Sequence, residues 1–243
     1  LKCKNNIPFS REEILKIIED IKTSKKFKKQ IEKVHPIVWK KQKTWLLKRA
    51  LIFLEEEKIK KHLFENYHTI ACEKTYNCYW NFKIPSPDSK GDLIFKGKID
   101  RIDSNNQFYQ ITDYKNSLPP GSVAPSWSSQ NRFQMAFYAQ VLEKGLTNLP
   151  PLPVSSALYL SYKNFEHQGL ALKEPPYIQL LGSPKKKSLI SEELKQQIFK
   201  SVNKKANSFI LNIHKGHFPA HPKTKNLCTK CKWRKICRAS HLN

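Results

Sequence analysis

The chain has 243 residues, 39% hydrophobic and 11% aromatic, enough to bury one large core and too apolar for a disordered chain. Its 44 Lys and Arg against 20 Asp and Glu leave a formal charge of +24. That balance favours a polyanionic partner, nucleic acid first, because side-chain cations that neutralise phosphates release counterions. Only six of the 44 are Arg, so part of the excess can be plain lysine decoration of a solvated surface. A membrane surface would need a basic amphipathic helix with a clean apolar face. The lysines at 40, 41, 43 and 48 around Trp39 and Trp45 spoil such a face, and no apolar run is long enough to span.

Leu1 is not an initiator Met, and no signal peptide follows it; the expectation is a piece of a longer chain. Ser10 and Glu13 form a capping box ahead of Ile14, Ile17, Ile18 and Ile21, which recur at helical spacing. A second helix is predicted from Val38 to Leu63. From Ile70 the helical period is lost, and Thr75 to Phe82 is rich in aromatics. A Pro/Ser/Asp/Gly loop follows at Pro85 to Asp92. Strands are predicted at Leu93 to Ile102 and Phe108 to Lys115, joined by a turn at Ser104, Asn105 and Asn106. Leu118 to Ser129 is too irregular for an element. Asn131 to Leu142 reads as a helix and Val154 to Tyr162 as an apolar strand. Leu189 to His214 is the longest helical pattern, with Ser191 as its cap and Leu194, Ile198, Val202, Phe209 and Ile213 as its inner face. The order predicts an α/β domain with a small mixed sheet.

Side chains alternate along a strand, so Asp113 and Lys115 share a face, and the hairpin can bring Asp100 beside Asp113. Two carboxylates brought together repel unless a cation sits between them, and a hard divalent ion is the usual solution. Lys115 would then stand beside the metal, placed to help activate water and to stabilise charge developing at a phosphate. Taken alone, an Asp-x-Lys tripeptide is more often an exposed ion pair. Cys228, Cys231 and Cys237, spaced C-x2-C-x5-C, suit a metal or cluster in a reducing compartment better than a secreted disulfide framework. Cys72 and Cys78 read as plain buried residues.

The run from Gly97 through Asp100 to Asp103, then Asp113-Tyr114-Lys115, then Gln134-x-x-x-Tyr138 and the cysteine tail together resemble the RecB-type nucleases of the PD-(D/E)XK superfamily. The nearest likeness is to the C-terminal iron-sulfur nuclease domains of AddB-like helicase-nuclease subunits, over about Ala71 to Arg238. The resemblance implies a restriction-endonuclease-like core with a small mixed central sheet flanked by helices. It divides the chain into a helical part (1–68), a nuclease core (69–215) and a cysteine-stapled tail (216–243). It implies Asp100, Asp113 and the Tyr114 carbonyl as ligands of Mg2+ or Mn2+, Lys115 as the catalytic lysine and Glu73 as a further acid. Gln134 and Tyr138, four apart on one helix face, would meet DNA and the active site. Read alone, these two are an ordinary polar position and a core aromatic.

Cys228, Cys231 and Cys237 would hold a 4Fe-4S cluster. Cys3, followed by Lys4 and Asn5, matches the family's fourth ligand poorly, which places that ligand outside this piece. Zinc is the rival, because His241 completes a four-ligand set within the tail. The function implied is a Mg2+-dependent deoxyribonuclease, of exonuclease type, in a cytoplasmic helicase-nuclease for DNA repair, with DNA and a helicase-nuclease subunit as partners. The rival readings are a non-catalytic DNA-binding module that keeps the fold, and a zinc-finger RNA-binding protein.

Overall fold

A computed structural model describes residues 10–25, 27–63, 67–80, 93–173, 186–217, 226–229 and 231–232. The predicted loop at Pro85 to Asp92, together with Cys3, Cys237 and His241, lies outside them.

The helical part opens with α1 (Arg11–Thr23), where the capping box forms as expected: the Ser10 hydroxyl accepts from the Glu13 N–H, and the Glu13 carboxylate accepts from the Ser10 N–H. A short α2 (Lys28–Ile31) leads to α3 (Pro36–Leu63). Ile14 and Ile18 of α1 pack on Leu47, with Leu51 and Leu54 beside it, so the lysine-rich α3 keeps one apolar stripe toward α1.

The sheet is β1 (His68–Trp80), β2 (Leu93–Ser104), β3 (Tyr109–Lys115), β4 (Val154–Ser161), β5 (His167–Leu172) and β6 (Leu189–Ile190), in that spatial order. β1 pairs with β2, and β2 with β3, antiparallel. The chain then crosses over through α4 (Gln134–Glu143), and β4 lies parallel to β3. A crossover helix is what a parallel neighbour requires, whereas a turn suffices for the antiparallel ones. The sheet is mixed, as expected. α4 and α5 (Glu192–His214) pack on it, burying Ile102 and Ile111 against Met135, Ala139, Leu142 and Val202. A last short α6 (Asn226–Thr229) carries Cys228. No described helix is long and apolar enough to cross a membrane.

Four expectations are corrected. The stretch Leu118 to Ser129 contains a single 3-10 turn at Ala124–Ser126, after which Trp127 is fully buried and donates its indole N–H to the Ser122 carbonyl at 2.8 Å. β5 and β6 were not expected at all. The inner face of α5 is Lys195, Ile198, Phe199, Val202 and Ala206, while Leu194, Phe209 and Ile213 are exposed. The face turns because Lys195 faces inward, where its ammonium meets Glu143 Oε1 and Glu192 Oε2, each at 2.8 Å. Cys78 is buried as expected, but Cys72 is disulfide-bonded and half-buried.

Candidate active site

The β2–β3 ladder pairs Ser104 with Tyr109 and continues to Arg101 with Thr112. One step further the register sets Asp100 across from Asp113, but there the strands stop pairing. Instead the Asp100 carboxylate accepts the Tyr114 N–H at 2.9 Å. The side chain thus satisfies a backbone donor that the ladder has released, and the sheet opens where two acids face each other.

Asp113 is 1% exposed. Its Oδ1 accepts from Gln134 Nε2 at 2.8 Å, and its Oδ2 is in contact with Lys115 Nζ, an ionic contact rather than a well-directed hydrogen bond. The reading of Asp-x-Lys as an exposed surface pair is therefore excluded. Burial pushes the Asp113 carboxyl up, and the charge of Asp100 adds to it, while Lys115 and Gln134 offset part of the rise. Lys115 also lies 5.7 Å from the centre of the Tyr159 ring, which backs it from β4.

α4 joins the site by a continuous set of hydrogen bonds. Gln134 Nε2 donates to the Tyr138 hydroxyl at 3.0 Å, and that hydroxyl donates to the Lys98 carbonyl at 2.6 Å. The helix spacing of four is what sets the two side chains over one another. Gly97 makes this approach possible: a Cβ there would stand 2.6 Å from Tyr138 Cε1 and 2.9 Å from Phe95 Cε1. Gly97→Ala is expected to cost about 1–3 kcal/mol in denaturant unfolding and to weaken cleavage by pushing Tyr138 off Lys98. Unchanged stability would contradict this packing.

Glu73 is brought near in register only. The pairs Cys72 with Arg101 and Lys74 with Ile99 leave it across from Asp100. Its side chain ion-pairs with Lys98, half in solvent, away from the buried Asp113. Its φ of 53° inside a strand is left-handed, a strain of about 1–3 kcal/mol that is found mostly at functional sites. Asp103 serves the structure: it is buried and holds Arg101 Nε at 2.8 Å and Thr69 Oγ1 at 2.6 Å.

Among the described residues no group of three or more His, Cys, Asp and Glu side chains gathers to hold a metal. The smaller set formed by Asp100 and Asp113 still fits a hard dication. A carboxylate that has lost its water and has a second acid as neighbour gains most from such an ion, and Mg2+ keeps several waters of its own. In the tail Cys228 is buried and Cys231 exposed, with the Cys231 N–H donated to the Cys228 carbonyl at 3.2 Å.

Sequence reasoning passed over Lys98 and Tyr159. Alternation from Asp100 could have found Lys98, which shares its face two residues earlier, whereas Tyr159 lies in a run indistinguishable from core.

The family model that describes the PD-(D/E)XK nuclease superfamily matches residues 8–238. The chain belongs to that superfamily. No curated protein matches the chain. PD-(D/E)XK proteins are nucleases, and they generally use Mg2+ or Mn2+. The antiparallel β1–β2–β3 unit, the crossover through α4 and the parallel β4 are in keeping with a restriction-endonuclease-like core.

Proposed function

We propose that the protein is a Mg2+-dependent deoxyribonuclease, an exonuclease acting within a cytoplasmic helicase-nuclease that processes DNA ends for repair. The observation that carries the reading is the meeting of Asp100, Asp113 and Lys115 where the β2–β3 ladder opens, with Gln134 bound to Asp113. Asp100, Asp113 and the Tyr114 carbonyl would hold the ion, with Glu73 as a further acid. When bound, it supplies an activated water and charge neutralisation at phosphorus.

The chain's own residues divide the remaining work. Lys115 sets a cation where the phosphate gains negative charge. Gln134 fixes the rotamer of Asp113, and Tyr138 fixes Gln134. The chain's formal net charge of +24 would hold the polyanion against this acidic cleft.

The tail belongs to the same reading. Cys228 and Cys231 with Cys237 would hold a 4Fe-4S cluster, with zinc as the competing ion; iron and sulfide analysis of anaerobically purified protein separates them, since one zinc and no iron refutes the cluster.

The test of the main reading is a Mg2+ titration with end-labelled single-stranded DNA. Cleavage is expected to rise with Mg2+ and to vanish in chelator. Retention of the strand without any cutting at saturating Mg2+ or Mn2+ would overturn the reading in favour of a binding module.

A further inference from the structure

The aromatic residues beside the site form a row that the hydrolytic machinery does not use. Tyr162 follows β4, and its N–H bonds the Lys115 carbonyl at 2.8 Å, which ties it to the catalytic strand. Its ring lies parallel to that of Tyr114, at 5.5 Å and 10°. Tyr114 in turn meets Phe53 of α3 edge-on at 6.0 Å. Trp45, Arg49 and Phe53 are spaced by four and so share one face of α3, away from the Leu47, Leu51 and Leu54 stripe that packs on α1. The Arg49 guanidinium lies over both the Trp45 ring, at 5.6 Å, and the Phe165 ring, at 5.4 Å. Phe165 sits in the turn after β4 with φ 55°, a left-handed conformation unusual for an aromatic residue.

The two ends of the row are open: Tyr162 and Trp45 are each 43% exposed. Tyr162 lies on the acidic side, for its phenol is pushed up to about 12, first by burial, then by Tyr114 and by the charges of Asp100, Glu73 and Asp113. On the other flank Lys163, Ser161 and Ser117 line a polar groove of about 490 Å³.

We infer that this row, from Tyr162 through Arg49 to Trp45, is a stacking track for the bases of single-stranded DNA entering the site. A duplex keeps its bases stacked inside and offers only phosphates to such a surface, whereas an unpaired strand offers π faces of every sequence. Arg between aromatic rings suits both base and phosphate. The inference deepens the nuclease reading and rests on it for the role of the bound strand.

The test is fluorescence anisotropy with the full chain in chelator, where nothing is cut. The probes are a labelled oligothymidylate, an abasic strand of equal length and charge, and a duplex. The wild type is expected to bind oligothymidylate about tenfold more tightly than the abasic strand. Tyr162→Ala is expected to bind both at the abasic level, and Tyr162→Phe to restore the difference. Trp45→Ala, at the other end of the row, is expected to shrink the same difference several-fold and covers the case of an unfolded Tyr162→Ala. Equal wild-type affinity for the two strands, or an equal loss on duplex and oligothymidylate, would overturn the track. Because no cleavage is read, failure here leaves the nuclease reading standing. Absent cleavage with intact base discrimination would sink the nuclease reading alone.

Discussion

Asp113→Asn and Lys115→Ala are each expected to lower Mg2+-dependent cleavage by roughly a thousandfold or more, with DNA binding in chelator changing little. The first removes the buried anion to which a dication would bind, and the second removes the cation nearest the phosphate. Asp113→Asn carries a second signature of opposite sign. The folded-state pKa of Asp113 is raised, so the metal-free fold holds this proton more tightly than the unfolded chain does. That contribution is fully present below the unfolded value, about 3.9, and is lost as pH rises through the folded one. At neutral pH the neutral amide is therefore expected to melt higher than the wild type without metal, since it keeps the Gln134 bond without a desolvated charge. Lys115, about one-third exposed, can take up water when its partner is neutralised. Mg2+ is expected to raise the melting temperature of the wild type and not of the variant. A nuclease rate unchanged by either substitution would refute the assignment, and a variant less stable than the wild type in chelator would refute the account of Asp113.

Lys195→Met is expected to cost about 3–5 kcal/mol, measured by denaturant unfolding. Lys195 is 1% exposed and joins three elements: it bonds Glu143 at the end of α4, Glu192 at the start of α5 and the Val154 carbonyl at the start of β4, the last at 3.3 Å. Glu143 has a further duty, accepting the Val154 N–H at 2.9 Å. Taking away the ammonium leaves Glu143 a largely buried charge with one neutral donor, whereas Glu192 is half in solvent and recovers by hydration. Glu143→Gln in the Met background is expected to restore most of the loss, because its amide oxygen still takes the Val154 N–H without a charge to bury. If the double variant is no more stable than the single one, the cost lies in packing and not in charge.

The parts of this structure that local rules govern were legible in advance. Ser10 and Ser191 each accept the N–H that capping chemistry assigns them, and alternation along β3 sets Asp113 and Lys115 together. What escaped depends on groups distant in the chain. β5 was missed because Gly169 interrupts it, and only the fold shows why: a Cβ there would collide with the Ala157 carbonyl oxygen of β4. The face of α5 was misread because Lys195 occupies an inner position, which only Glu143, 52 residues earlier, makes tolerable. Of the site, the two aspartates and Lys115 could be found from pattern, and the likeness to a family added Gln134 and Tyr138. That Asp100 also caps the Tyr114 N–H could not be read, because nothing in the sequence says where the ladder ends.

The bonds from Gln134 run one way. Its amide nitrogen has two hydrogens, one committed to Asp113 and one to Tyr138, and the Tyr138 proton is itself committed to the Lys98 carbonyl. The Gln134 amide is too weak an acid to give up its proton and the Tyr138 proton points away, so α4 clamps Asp113 without being a conduit to it. If the site cleaves a strand as proposed, the proton for the departing oxygen would come from Lys115 or from solvent at the open end of the sheet, with the helix behind the site outside that traffic.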